Sequence, residues 1–156
     1  MQLREFRQSD FETLYRIDQA CFPPGVSYSR KELAAFIRHP SAATWIAEES
    51  NEIVGFLIAD RSEKGAAHIV TIDVVEGRRR CGVGRVLMDA VEAWATRGGL
   101  RLIHLETAES NREAQMFYQA RGYRKLETIE GYYADGEAAW VMVKSLARNC
   151  RLRIDD

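Results

Sequence analysis

Hydrophobic and polar positions change their period several times along the chain, and each change marks an element. Leu3 to Arg7 alternates weakly and predicts a short strand, after which Ser9-x-x-Glu12 has the capping-box spacing that opens a helix. Phe11, Leu14, Ile17 and Cys21 then recur at helical spacing until Phe22-Pro23-Pro24-Gly25, where proline ends the pattern. A second box, Ser29-x-x-Glu32, predicts a short helix carrying Leu33, Phe36 and Ile37, closed by His39-Pro40. Thr44 to Glu48 and Ile53 to Ala59 read as a hairpin around Glu49-Ser50-Asn51-Glu52, and Ala67 to Val75 as a third β-branched run. Val83, Val86, Leu87, Ala90, Val91, Trp94 and Ala95 form one apolar stripe, so a long helix runs from there to Gly98-Gly99. Leu100 to Thr107 predicts a strand and Ser110-x-x-Glu113 a third capping box, opening a helix that ends at Arg121-Gly122. Tyr123 to Ile129 and Ala138 to Val143 predict two final strands. The order βααβββαβαββ indicates an α/β fold around a mixed central sheet.

Length and composition narrow the class without identifying it. The chain has 156 residues, 46% of them hydrophobic and only three prolines, which fits one globular domain, expected over 1–146 with a tail at 147–156. Trp45, Trp94 and Trp140 are expected in the core. Three cysteines (Cys21, Cys81, Cys150) without C-x-x-C spacing predict neither a disulfide framework nor a zinc site. No apolar run is long enough for a membrane helix and the first ten residues lack a hydrophobic signal core, so the expectation is a cytoplasmic protein without a membrane partner. With 22 basic and 23 acidic side chains the net charge is −1, which argues against a nucleic-acid partner held through phosphates.

That average hides a local excess. Residues 76 to 85 hold four arginines (Arg78, Arg79, Arg80, Arg85) and one glutamate. Gly82 and Gly84 lie where the strand gives way to the long helix, a place where free backbone N–H groups and the helix dipole favour an anion. A lone G-x-G also suits a tight turn with solvated arginines, and neither the P-loop nor the G-x-G-x-x-G fingerprint is complete. A phosphate-bearing ligand outside those two patterns is the reading that uses both the glycines and the charge.

Arg79-x-x-Gly82-x-Gly84, between its strand and helix, resembles the R/Q-x-x-G-x-G/A loop of the GNAT acetyltransferase superfamily. The segment LETAESNREAQMFYQARGYRKLE is similar to the second GNAT motif, N-x-x-A-x-x-F/L-Y-x-x-x-G-F/Y. CFPPGVSYSRKEL, LETAESN and GYYADGEAAWVMVKSL bring the chain closest to the RimI-like ribosomal-protein and N-terminal alanine acetyltransferases. The resemblance implies a single-domain GNAT fold and acetyl-CoA as cosubstrate. Its pyrophosphate would lie on Arg79, Arg80, Cys81, Gly82, Val83, Gly84 and Arg85, and its pantetheine arm on the backbone of Ile72, Asp73 and Val74 and on Asn111. It implies Glu106 as general base and Tyr118 as the acid that protonates the leaving thiolate. Ala108-Glu109 departs from the basic step of many relatives and puts the charge at the site mouth in question.

Phe22, Tyr28, Tyr132 and Tyr133 are candidates for the acceptor side, with plain loop and turn packing as the alternative. His68 and His104 read as satisfied strand residues. The acceptor implied is a protein or peptide N-terminal α-amine; a lysine side chain or small amine is the alternative, as is an acyl-CoA-binding module without transfer. Roughly a tenth of an α-amine of pKa about 8 is neutral at pH 7, against under a thousandth of a lysine near 10.4, so a modest base serves the former. The transfer expected is direct, in a ternary complex.

Overall fold

A computed structural model of the chain describes residues 1–146; the expected tail at 147–156, with Cys150, lies outside the described residues. Strand β1 (Gln2–Glu5) leads through a 3-10 turn into α1 (Phe11–Cys21) and α2 (Arg30–Arg38). Then come β2 (Ala42–Glu49), β3 (Glu52–Arg61), β4 (Ala66–Val74), α3 (Val83–Arg97), β5 (Leu102–Ala108), α4 (Arg112–Ala120), β6 (Arg124–Ile129) and β7 (Ala139–Ser145). The order is the one the periodicity predicts. Hydrogen bonds link the strands in the order β1-β2-β3-β4-β5-β7-β6, with β4 and β5 parallel and the β1–β2, β2–β3, β5–β7 and β6–β7 pairs antiparallel.

The chain forms two compact units. The first comprises Met1–Asp60 with Ile69–Ala93, the second Arg61–His68 with the described chain from Trp94 onward. In the first, Leu14 and Ile17 of α1 and Leu33 of α2 meet Ile46, Phe56 and Ile58 from β2 and β3, all buried. The β2–β3 turn places Ser50 and Asn51 at φ 52° and 66°, a two-residue geometry whose twist matches a hairpin. In the second, Ile103 and Leu105 of β5 and Val141, Met142 and Val143 of β7 are buried, and Tyr118 and Tyr123 close the end of α4.

Of the three predicted capping boxes, one forms as drawn. Ser29 Oγ accepts from Glu32 N at 3.1 Å while Glu32 Oε1 accepts from Ser29 N at 2.9 Å. The Ser9 box does not form, because Asp10 instead accepts from Arg4 and from Arg7 N, and residues 8–10 become the 3-10 turn. The Ser110 box does not form: Asn111 caps α4, its Oδ1 accepting from Ala114 N at 3.1 Å, while Ser110 N donates to Glu137 Oε2. The three tryptophans are half-buried rather than central. Trp94 lies under Arg61 and Trp140 under Lys125, so cations cover the faces that the core does not.

Candidate active site

In the first unit, β4 runs into the glycine-rich loop. Val75 N donates to Val54 O at 3.0 Å, residues 76–78 make a 3-10 turn, and α3 starts at Val83 with Val86 N donating to Gly82 O. Arg80 and Gly82 both take left-handed φ (65° and 88°), so the backbone reverses twice within three residues. A side chain is strained there, which is why glycine serves at 82. The first amides of α3 have no acceptor within the helix and lie beside exposed Arg79, Arg80 and Arg85. Arg78, counted in the basic cluster, is engaged instead with Glu49. Arg79 Nε donates to Val74 O at 3.2 Å, tying the loop to the end of β4. Cys81 is exposed, and Val83 is buried beneath the helix start.

Gly55 is a residue the motifs do not flag. A Cβ there would lie 2.8 Å from Asp73 O and 2.9 Å from Val83 Cγ1, so only glycine lets β3 pass this close to the loop. A shallow cavity of about 210 Å³ beside the loop is lined by Thr13, Arg16, Cys21, Val75 and Arg79 among others. Cys21 Sγ donates to Val74 O at 3.4 Å, and burial, reinforced by the nearby Asp73 charge, pushes its thiol up to about 11.

Two carboxyl groups, Asp18 on α1 and Asp73 on β4, have almost no exposure, at 0% and 1%. Asp73 accepts from Thr71 Oγ1 at 2.6 Å and Asp18 from Tyr28 N at 2.8 Å. Asp18 Oδ1 and Asp73 Oδ2 meet no ordinary donor among the described residues, and the two carboxyls are hydrogen-bond neighbours of each other. Burial raises both above the usual aspartate range, Asp73 strongly, and the neighbouring Asp18 charge raises Asp73 further. Tyr28 is held on the same scaffold, its hydroxyl donating to Val70 O at 3.1 Å and its ring edge-on to Phe36. Phe22, the C-cap of α1, is half-buried. The Asp73 side chain is therefore enclosed within the first unit.

In the second unit the parallel β4–β5 ladder registers Ala66↔Leu102, Ala67↔Ile103 and His68↔His104. Paired residues point to one face, and so does Glu106, two positions beyond His104. His68 Nε2 lies 2.7 Å from Glu106 Oε1, His104 Nδ1 lies 3.8 Å from Oε2, and the two imidazoles stack with centroids 4.7 Å apart. Burial raises the Glu106 carboxyl, but the imidazoles of His104 and His68 outweigh that and hold it down at about 2. Tyr132, 45% exposed, neighbours the same carboxylate; burial first, then the Glu106 charge and hydrogen bond, raise its phenol. Tyr133 packs edge-on against Tyr132 and is raised as well, chiefly by burial.

Tyr118 on α4 is 7% exposed, with Phe117 and Tyr123 against its ring. Buried Gln115 donates to Ala108 O and Glu109 O, fixing the turn between β5 and α4 from which Asn111 projects. The structure thus gathers Glu106, Tyr132 and Tyr133 in one place and adds His68 and His104, which the sequence reading assigned to strand packing. The usable signal is His104-x-Glu106 on one strand opposite a histidine on the next, but it needs the inter-strand register. Asp18 carried no signal, since an aspartate at this helical position reads as surface.

The acetyltransferase (GNAT) family pattern matches residues 11–123. An N-alpha-acetyltransferase of Sulfurisphaera tokodaii is 28% identical, the match covering 92% of each chain. Among solved structures, Ard1 from Thermoplasma volcanium superposes with a TM-score of 0.83 at 28% identity, covering 92% of this chain and 96% of that one. The ribosomal-protein-S18-alanine N-acetyltransferase of Escherichia coli shares the fold with a TM-score of 0.83 at 21% identity, over 94% of both chains. The loop, its strand and helix, and the histidine-flanked glutamate therefore belong to an acetyltransferase of the GNAT family.

Proposed function

We propose that the protein transfers the acetyl group of acetyl-CoA to the N-terminal α-amine of a peptide or protein, directly and without an acetylated enzyme. The observation that carries this is the Glu106 carboxylate, held ionised between two imidazoles and beside an exposed tyrosine. A coenzyme binder without transfer has no use for it. In this reading the amides of residues 79–85 take the pyrophosphate with Arg79, Arg80 and Arg85, and the backbone of Ile72–Val74 takes the pantetheine. The Asn111 side chain, its oxygen committed to the helix cap, keeps an amide donor for the same arm. Similarity to an archaeal N-alpha-acetyltransferase supports the acceptor.

The acidity of Glu106 refines its role. Passing a proton from an α-ammonium of pKa about 8 to a carboxylate at about 2 climbs six units, about 8 kcal/mol. An imidazole is a closer match to that amine than so acidic a carboxylate. Glu106 therefore attracts the ammonium and orients His68; when His68 is neutral the carboxylate loses the charge that holds it down, and the pair takes the proton as the amine nitrogen attacks the thioester carbon. A backbone N–H near Val74 steadies the oxyanion. As the carbon–sulfur bond breaks, Tyr118 gives its phenolic proton to the coenzyme thiolate. Cys21, its thiol raised to about 11, is a poor nucleophile, in keeping with direct transfer.

The test is thiol release from acetyl-CoA over a panel of peptides differing in their first residue, beside free lysine and spermidine. Turnover confined to peptides, and graded by the first residue, is expected. Turnover on the small amines alone removes the acceptor, and thiol-free coenzyme binding removes transfer altogether.

A further inference from the structure

We infer that His68, His104 and Glu106 form a binding site for one divalent transition-metal ion of the zinc type, and that filling it arrests acetyl transfer. The arrest rests on the function proposed above; the site does not. Two histidines in direct register on parallel strands and a glutamate two residues further on point three ligand-bearing side chains from one face. One ligand atom from each lies within 4.8 Å of the others. Tetrahedral zinc, with bonds of about 2.0–2.1 Å, places its ligand atoms about 3.3 Å apart. The triangle therefore closes with shifts of about 1.5 Å or less at side chains, while the ladder holds both histidine backbones in place. Exposures of 30%, 32% and 17% for the three side chains leave an entry path.

The donor set selects the ion. Two imidazole nitrogens and one carboxylate are the ligands of catalytic zinc sites, with a fourth position open to water or substrate. Magnesium and calcium want an oxygen shell that this site lacks. Binding and catalysis draw on the same groups: an ion on Glu106 and His68 occupies the pair that would take the amine proton.

The metal-free protein, prepared without a histidine tag, is titrated with Co²⁺ as the spectroscopic probe, and Zn²⁺ is then added as competitor. One equivalent of Co²⁺ giving visible four-coordinate bands, displaced by Zn²⁺ and without a near-ultraviolet thiolate band, is expected. The affinity falls more than about tenfold in His104→Gln and in Glu106→Gln. His39→Gln, which alters the chain's third histidine, leaves it unchanged. Circular dichroism confirms that each variant is folded. Absent bands, a thiolate band, or an affinity indifferent to His104→Gln overturns the site. Zn²⁺ should also stop thiol release, with recovery on adding a chelator; undiminished release with the site filled overturns the arrest. A protein that transfers acetyl yet binds no Co²⁺ overturns this inference and leaves the proposed function standing, whereas Co²⁺ binding without transfer upholds the site and removes that function.

Discussion

Two carboxylate clusters, one in each compact unit, show how neighbours set the behaviour of one functional group. Asp18 and Asp73 are almost wholly enclosed, with no hydrogen-bond donor on Asp18 Oδ1 or Asp73 Oδ2 among the described residues, and burial raises both. Glu106 on β5 is also largely enclosed, yet two imidazoles strip its proton and hold it at about 2. Burial alone would have raised all three. The first cluster is a structural brace for β4, and the second is ionised and within reach of solvent.

The largest expected effect tests that division. Glu106→Gln keeps the shape of the site but removes its charge, and kcat/KM for a peptide acceptor should fall by about a hundredfold or more, with His68→Gln close behind. Asp73→Asn, by contrast, should change kcat/KM by less than about tenfold. Steady-state thiol-release assays on folded variants decide between them. Equal losses at Glu106 and Asp73 would erase the distinction.

Stability against pH separates the clusters next, and the signs are opposite. Glu106 is lowered on folding, so its contribution is present above the ordinary glutamate value near 4.5 and is lost as the pH falls towards 2. The loss amounts to at most about 3 kcal/mol, and Glu106→Gln should flatten that acid limb in urea titrations. Asp73 is raised on folding, so its contribution is full below the ordinary aspartate value and is lost as pH rises through its raised one. Asp73→Asn should therefore lose stability less steeply than the parent over the pH range above the ordinary aspartate value. A parent chain equally stable across that range would show that the pair carries no extra proton.

The smallest effect serves as a control. Ser29→Ala removes the one capping box that forms as drawn, and should cost about 1 kcal/mol at every pH, since no titrating group is lost. A pH-dependent cost would mean that the α1–α2 loop, held through Tyr28 N, is coupled to the Asp18–Asp73 pair.

What the sequence revealed divides along similar lines. The long apolar stripe of α3 and the glycines at 82 and 84 are local signals, and they located both the helix and the loop. Capping depends on which side-chain oxygen reaches a free amide: Asn111 takes Ala114 N where Ser110 is the expected cap, and residues 8–10 close into a 3-10 turn around Asp10, held by Arg4 and Arg7 N, so the Ser9 box does not form. The Asp18–Asp73 pair joins residues 55 apart, and the His68–Glu106 bond residues 38 apart. Neither is visible until strand register is known. The tryptophans illustrate the converse, for a large apolar ring suggests a core position while its edge and indole nitrogen favour a half-buried one.

Transfer as proposed requires a proton to leave an α-amine at the Glu106–His68 pair. The most direct measurement is tandem mass spectrometry of one peptide that carries a free N-terminus and an internal lysine, after incubation with the protein and acetyl-CoA. The acetyl group is predicted on the α-amine, with yield lost in Glu106→Gln. Acetyl on the lysine, or a yield indifferent to that substitution, would contradict it.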